Sequence, residues 1–344
     1  HGKELISLLK ECYRPGEDIQ TATFRFVNAL FGEWGLLVLL PDNSLLKKQM
    51  TAIFRDDLQN QTASGIVEAT AARLSDAGYK VQANPREINL FYLVDDIRER
   101  IVEKNGNYHV LKIHKQFTRE QLLQELEQHP ERFSPNVILR GLYQETILPN
   151  LVFIGGGGET AYWLQLKDLF DYYKVPYPIL VLRNSFLLVE KKWLDKIGRL
   201  GFSAEDFFLP EQELISRLVM KESKNETRLN GAMPKLEQLY ETFKKQAAAV
   251  DASLEKHVDA LKLKSVQRLQ ELEKKMLRAE KRKFTDQQRQ IRGIYEQLFP
   301  GNGLQERIEN ISYYYAKWGP SFISQLYKHS LALEQEFVIL SEGK

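Results

Sequence analysis

The sequence predicts an α/β fold: a Rossmann-like core, a small β-containing insertion and a long C-terminal α-helical coiled coil. Three observations predict it. A strand, a glycine run, a helix and a second strand follow one another over 151–182. Segments of β character bounded by turn residues cluster between 79 and 113. From Leu236 to Ala279, apolar residues recur at steps of mostly three and four. The chain has 344 residues, 43% hydrophobic and 27% charged, which suits two or three domains and excludes a disordered chain. Its longest apolar run, Leu36 to Leu40, is far short of a membrane span, and a net charge of +2 supplies no global field for nucleic acid. One cysteine, Cys12, forbids an internal disulfide and a zinc site of several thiolates. That cysteine usage makes the expected setting cytoplasmic.

The elements follow in order. Residues 1–78 read as helices around one strand of the core. Thr21–Phe31 places Ala22, Phe26, Ala29 and Leu30 on one side and stops near Gly32. Gly35–Leu40 is apolar throughout, as a strand buried on both faces requires, and Ser44 follows its turn as a candidate helix cap. The region 79–132 reads as an inserted α+β connection. Its strands are expected at Tyr79–Gln82, Leu90–Val94 and Tyr108–Ile113, with Asn105-Gly106-Asn107 as a hairpin turn. Thr118 and Gln121 have capping-box spacing and open a helix. The second half of the core, 133–224, contains a helix over Val137–Ile147, a strand at Leu151–Ile154, a helix over Thr160–Tyr173 and a strand at Pro178–Leu182.

A charged linker is expected at 221–230, and 225–299 reads as the coiled-coil domain. Unbroken, its seam would be roughly 65 Å long at 1.5 Å per residue, although Asp251 and Ser253 are placed to cap a new helix there. Thr285–Leu298 reads as the return helix, ended by Pro300-Gly301. Such a hairpin leaves apolar surface over, so a homodimer through 236–298 is expected. The aromatic cluster Tyr313, Tyr314, Tyr315 and Trp318 predicts that the tail, 300–344, packs back on the core.

The glycine run carries the first chemical signal. Gly156-x-Gly158-x-x-Ala161 fits a dinucleotide fingerprint, and Arg183 ends the next strand where a 2′-phosphate would want a cation. Glu159 argues the other way, because a carboxylate in the first helical turn repels phosphate and suits an ammonium group or sugar hydroxyls. The plainer reading is a tight turn that binds nothing. Asn136, Arg140 and Gln144 lie on one helix face, where an arginine can take a carboxylate bidentately or merely join surface ion pairs. The histidines have no metal-pair spacing, so no metal site is evident. Acidic residues interleave with the basic run at 274–283, which reads as a solvated face rather than a nucleic-acid contact.

Several of these residues, with others in fixed order, resemble the bacillithiol biosynthesis cysteine-adding enzymes. They are Phe133-Ser134-Pro135-Asn136-Val137, Arg140, Gln144, Leu148-Pro149, Ile154-Gly155-Gly156, Gly158-Glu159, Tyr162-Trp163, Pro178 and Arg183. The resemblance extends to Asn89-Leu90-Phe91-Tyr92, His129 to Phe133 and Gln305 to Asn310, nearly the whole chain. It implies a core similar to class I aminoacyl-tRNA synthetases, a dimerising coiled coil, and a ligase that joins the carboxyl of L-cysteine to the amine of glucosaminyl-malate. ATP is the implied activating nucleotide, with ATP or ADP as the implied ligand.

The implied substrate-binding set is Asn136, Arg140, Gln144, Gly155, Gly156, Gly158, Glu159, Tyr162, Trp163 and Arg183; no catalytic acid or base is implied. Arg140 and Arg183 would hold the malyl carboxylates or a phosphate, and Glu159 a sugar hydroxyl or ammonium. Family members are longer, with an N-terminal half bearing the first Rossmann strands and a nucleotide motif. This chain, which starts at His1, is therefore expected to be a fragment that is inactive alone. Its Gly157 also stands where the family usually has proline. Two other readings are an NADP-dependent oxidoreductase built on the glycine run and Arg183, and a noncatalytic coiled-coil scaffold.

Overall fold

The computed structural model describes residues 1–223, 225, 228, 229 and 231–343. The chain forms two compact units, His1–Asn184 with Ser312–Gln335, and Ser185–Ile311 with Glu336–Lys344. They divide well ahead of the expected 224/225 boundary. The physical reason is that the residues after Asn184 bury their apolar side chains in a core separate from that of the glycine-run region.

The first unit begins with helices α1 (Gly2–Cys12), α2 (Ile19–Phe31), α3 (Ser44–Lys48), α4 (Thr51–Asn60) and α5 (Thr62–Asp76). Asp18 caps α2 through the Thr21 amide at 2.8 Å. Asn43, one residue before the expected Ser44, caps α3 through the amides of Leu45 and Leu46. The expected strand at Gly35–Leu40 joins no ladder among the described residues, Gly35 stands in the left-handed region with φ 79, and Leu37 is 92% exposed. An apolar run states that a segment is built to be covered; it does not supply the neighbour that covers it.

A five-stranded antiparallel sheet follows, in the order β4-β3-β2-β1-β5: β1 (Leu90–Val94), β2 (Ile97–Lys104), β3 (Asn107–Val110), β4 (Lys115–Phe117) and β5 (Phe133–Pro135). Asn105 and Gly106 both have positive φ, the conformation of a tight hairpin turn. The expected strand at Tyr79–Gln82 is absent. The buried Gln165 amide instead accepts from the N–H groups of Gln82 and Ala83 and donates to the Ala83 carbonyl, taking the part of a strand partner. Helix α6 (Arg119–Gln128) starts with the expected Thr118/Gln121 capping box.

Helix α7 (Val137–Ile147) leads to β6 (Val152–Gly155), α8 (Gly157–Gln165), α9 (Lys167–Tyr173) and β7 (Ile179–Leu182). The helix expected over Thr160–Tyr173 starts earlier and breaks at Leu166. Strands β6 and β7 pair in parallel with Arg183 N–H extending the ladder to Gly155 O at 2.9 Å. One core joins the whole unit: Phe54 and Leu58 of the early helices, Tyr92 and Phe133 of the sheet, Trp163 and Phe170 of the glycine-run region. The antiparallel sheet is thus a wall of that core rather than a separate lobe. The outer side of the β6–β7 pair remains bare, with Leu151 at 89%, Ile154 at 63% and Ile179 at 67% exposure. Part of the tail packs here too: Tyr327 lies 4.5 Å from Trp34, ring to ring, and Leu331 N–H donates to Asn184.

The second unit has β8 (Ser185–Val189), α10 (Lys191–Arg199), α11 (Glu211–Glu222), α12 (Ala232–Val250), α13 (Leu254–Lys281), α14 (Thr285–Leu298), α15 (Gln305–Ile308) and β9 (Phe337–Ser341). Strands β8 and β9 pair in parallel, so the end of the tail belongs here and not with the first unit. Gln305 and Glu306 cover the other edge of β8, accepting from Leu188 and Phe186 N–H at 2.9 and 3.0 Å. The core combines Leu187, Ile197, Phe207, Leu214, Ile291 and Leu298. The expected linker begins inside α11, and residues 224, 226, 227 and 230 of it lie outside the described set.

The long seam breaks at Asp251, where its carboxylate accepts from Ser253 N–H at 2.8 Å. Helices α12 and α13 fold against each other, tied by Lys244–Asp259, Glu241–Lys262 and Tyr240–Ser265. The coiled-coil arms are therefore these two helices. The expected return helix α14 instead packs through Ile291, Ile294 and Leu298 into the body of the unit. No described helix is long and apolar enough to cross a membrane.

Candidate functional site

The glycine run lies where β6 ends and α8 begins, at the carboxyl ends of a parallel strand pair. That is the end at which open α/β sheets take ligands. The glycines differ in what surrounds them. A Cβ on Gly155 would come 2.5 Å from the Phe153 ring, which cannot swing away because it stacks on Trp163 at 4.0 Å. A Cβ on Gly157 or Gly158 would meet nothing within 4 Å, so the chain's own packing does not require glycine there. Gly156 N–H donates to Glu159 Oε2 at 2.9 Å. Glu159 therefore closes the N-terminus of its own helix, and its charge occupies the position a phosphate would take. This weighs against a pyrophosphate cradle and hence against the oxidoreductase reading. In the same turn, Thr160 Oγ1 is buried with no hydrogen-bond partner among the described residues.

Two of the expected polar residues are structural hubs. Asn136 caps α7 by accepting from Ile138 N–H at 2.8 Å and donates its amide to Asn89 Oδ1 at 2.9 Å. Asn89 donates to Asp57 through its backbone and its side chain. Burial pushes the Asp57 carboxyl up to about 6, even though the Asn89 bonds oppose the shift. Gln144 donates to Glu145, which is fully buried and accepts from the backbone and side-chain amides of Asn150. That cluster fixes the turn from α7 into β6. Trp163 is 1% exposed and fills the core against Gly141 and Phe153.

Arg140, Glu159 and Arg183 are exposed, and Tyr162 is partly covered beside them in sequence. Arg140 is exposed on α7, and Tyr162 is half-buried on α8. The Tyr162 hydroxyl is held above its ordinary value, first by burial and then by the charge of Glu159, while Arg140 pulls the other way. The three side chains therefore share one electrostatic neighbourhood. The Arg183 backbone is bonded to Gly155 at the start of the same turn. The arrangement offers cations for carboxylates and one carboxylate for hydroxyls or an ammonium group. Among the described residues, no group of three or more His, Cys, Asp or Glu could hold a metal ion.

Sequence reasoning missed Arg98. It stands on β2, a strand not foreseen, and its guanidinium lies 3.7 Å from the centre of the Phe91 ring. It donates to Ser134 Oγ and Pro135 O at 3.3 and 3.2 Å, immediately before the start of α7. The period-two alternation of β2 puts it outward, but only the sheet register brings it to Pro135.

Comparison with known proteins bears on this site. The family description "Bacillithiol biosynthesis BshC, N-terminal Rossmann-like domain" matches residues 1–184. "Bacillithiol biosynthesis BshC, C-terminal coiled-coil domain" matches 186–342. The chain is similar to proteins named "Putative cysteine ligase BshC" from several bacteria. That of Christiangramia forsetii is 40% identical over 347 positions, covering 100% of this chain and 64% of the relative. That of Flavobacterium johnsoniae is 38% identical, covering 98% and 63%, and that of Salinibacter ruber 32%, covering 95% and 60%. The chain thus spans less than two thirds of the length of these relatives.

Proposed function

We propose, from the premise that this chain belongs to the bacillithiol biosynthesis BshC family, that it supplies the larger part of a cysteine ligase. The reaction is the last step of bacillithiol synthesis: the carboxyl of L-cysteine forms an amide with the amine of glucosaminyl-malate. The observation that carries the reading is the family match over both units, with relatives that bear the ligase name. The exposed Arg140, Glu159 and Arg183, with the half-buried Tyr162, fit it chemically, since the acceptor substrate has both carboxylates and sugar hydroxyls.

A free carboxylate does not condense with an amine in water without activation. ATP is the proposed activator. The cysteine carboxylate attacks the α-phosphorus and releases pyrophosphate. The amine then attacks the acyl carbon, AMP leaves, and the amine gives up a proton. A Rossmann-like domain suits nucleotide binding. The first turn of α8, already closed by Glu159, is not the proposed phosphate cradle. In this chain Arg140 and Arg183 hold carboxylates, and Glu159 orients a hydroxyl or the reacting amine. Gly156 and Gly158 let the substrate approach the backbone, while Gly155, Asn136, Gln144 and Trp163 hold these groups in place.

Dimerisation is proposed through α12 and α13, and the cytoplasm as the setting. Activity belongs to protein of the relatives' length, and the 344-residue chain assayed alone is expected not to ligate. The deciding measurement is thiol profiling by mass spectrometry in cells lacking the gene. Loss of bacillithiol with accumulation of glucosaminyl-malate supports the assignment. Unchanged bacillithiol, in a strain that makes it and has no second copy, removes the ligase reading and leaves the scaffold reading in front.

A further inference from the structure

A run of hydrogen bonds joins the buried Asp57 of α4 to the amino end of α7. Asp57 and Asn89 are both 0% exposed. Asp57 Oδ2 accepts from Asn89 N–H at 2.6 Å, and its Oδ1 accepts from Asn89 Nδ2 at 3.1 Å. The same Nδ2 donates to Arg86 O at 2.8 Å. Asn89 Oδ1 accepts from Arg86 N–H at 3.1 Å and from Asn136 Nδ2 at 2.9 Å. Asn136 N–H donates to Asn89 O at 2.9 Å, and Asn136 Oδ1 accepts from Ile138 N–H at 2.8 Å. Arg140 N–H then donates to Asn136 O at 2.9 Å, the first bond of the helix.

The direction of this run depends on the charge of Asp57. The Asn89 side chain uses both its donors and both acceptor sites of its oxygen. If its amide turned over, its NH2 would face the N–H of Arg86 and the NH2 of Asn136, donor against donor. A carboxylate at 57 holds the amide the other way, because both its oxygens can only accept. A neutral carboxyl has a hydroxyl that must donate, yet the groups bonded to it are two Asn89 donors. Asn89 Oδ1 can take that proton only when the amide turns, which breaks its bond to Asn136. The charge acting on Asp57 is that of Asp56, its neighbour on α4, and it opposes ionisation. Tyr173 of α9 faces the pair with its hydroxyl bonded to Asp56 at 2.6 Å, and Arg86 meets Asn89 through its backbone. Burial favours the neutral form more than the Asn89 bonds favour the charged one, so the fold outlasts protonation.

We propose that Asp57 is a positioning residue for α7: its carboxylate sets the direction of the Asn89 amide, that amide sets the direction of Asn136, and protonating Asp57 releases the cap of the helix that carries Arg140. Asp57 is fully buried, so it acts on substrate only through this run. The relay itself rests on the hydrogen bonds. Its consequence for substrate binding rests on the ligase reading.

Amide and carboxyl NMR of the 344-residue chain between about pH 7.5 and about pH 5 tests the relay. The Asp57 carboxyl carbon, the Asn136 side-chain NH2 and the Ile138 N–H are expected to share one midpoint, near the Asp57 value of about 6. Protection of Ile138 N–H against hydrogen exchange, corrected for the intrinsic rate, should fall about fivefold at the acid end, as for a lost cap. Asp57→Asn is neutral and of the same size, and it should hold Ile138 and Asn136 at their acid positions throughout. Adding Asn89→Asp returns a carboxylate to the run, able to accept from Asn136 and Arg86 again, so Ile138 should recover part of the way. If Asp57→Asn does not fold, the shared midpoint in the wild type decides. Ile138 and Asn136 signals that stay fixed as pH falls, or that titrate unchanged in Asp57→Asn, overturn the relay.

In protein of the relatives' length, Asp57→Asn should raise KM for glucosaminyl-malate about fivefold at about pH 7.5, with kcat and KM for cysteine little changed. The ratio of the variant's KM to that of the wild type should approach one by about pH 5, where both lack the charge. Taking the ratio cancels the ionisation of the substrate itself. A ratio that is the same at every pH assigns Asp57 to stability alone and overturns its positioning role, while the ligase reading stands. If the wild-type protein does not ligate, that reading falls, and the NMR titration alone decides the relay.

Discussion

The rings of Phe153 and Trp163 stack 4.0 Å apart, and this stack, not a ligand, is what requires glycine at position 155. A side chain at Gly155 must displace Phe153, and Phe153 can move only by disturbing a tryptophan that is fully in the core. Gly155→Ala is therefore expected to cost about 1–3 kcal/mol, the usual range for overpacking. Gly157→Ala and Gly158→Ala should be near neutral or slightly stabilising, because they open α8 into free space. Urea denaturation of the three variants checks this. Equal losses in all three would remove the stack as the cause. Phe153→Leu should relieve much of the Gly155→Ala penalty in a double-mutant cycle.

Glu159→Gln separates the charge of that side chain from its structural bond. Glutamine can still accept from Gly156 N–H, so stability should change by less than about 0.5 kcal/mol. Ligation by protein of the relatives' length should fall about tenfold or more if the charge orients the amine or a hydroxyl. Unchanged ligation kinetics would assign Glu159 to helix capping alone.

Asp57 predicts an inverted pH dependence. Its folded value of about 6 lies above the ordinary 3.8, so the folded state holds the proton more tightly than the unfolded state. The resulting stabilisation is complete below about 4 and is lost as pH rises through about 6. A difference of that size between folded and unfolded states is worth about 3 kcal/mol at most. The difference in stability between the wild type and Asp57→Asn should therefore change across about pH 4–7, with the wild type gaining on acidification. A pH-independent difference in unfolding free energy would refute the raised value.

Helices α12 and α13 leave Phe243, Leu261 and Val250 substantially exposed even after packing together. The paired substitution Phe243→Glu with Leu261→Glu is expected to convert a dimer to a monomer in analytical ultracentrifugation. The helical circular dichroism should be retained, because neither residue lies in the buried core. A protein already monomeric at micromolar concentration would refute dimerisation through this hairpin.

The bare apolar surface of the first unit predicts dye binding. The 344-residue chain should enhance ANS fluorescence, and Leu37→Lys with Ile154→Lys should reduce that signal. The thermal midpoint should shift little, since both side chains are mostly exposed. Unaltered fluorescence would place the dye elsewhere.

Local features were the most legible in the sequence. The Thr118/Gln121 capping box, the Asn105-Gly106 turn, the α7 and β6 segments and the break at Asp251 depend on chemistry within a few residues, and each stands in the structure. Alternatives that turned on distant partners were not legible. Gly35–Leu40 reads as a buried strand but has no neighbouring strand among the described residues, and the second coiled-coil arm is α13 rather than α14. Among the site residues, spacing put Arg140 and Asn136 on one helix face. It could not show that the Asn136 amide is consumed by Asn89 and the α7 cap.

By itself the sequence determined the alternation of elements, the glycine run with its following acid, and the family to which the chain belongs. Only the tertiary structure decided which polar groups are spent on the fold and which remain for a substrate. It alone brought Arg98 beside Ser134 and Pro135, because register across three strands sets that meeting. Capping and turn formation are short-range and repeat from protein to protein. The seating of Arg98 on Phe91, Ser134 and Pro135 depends on every strand that carries them.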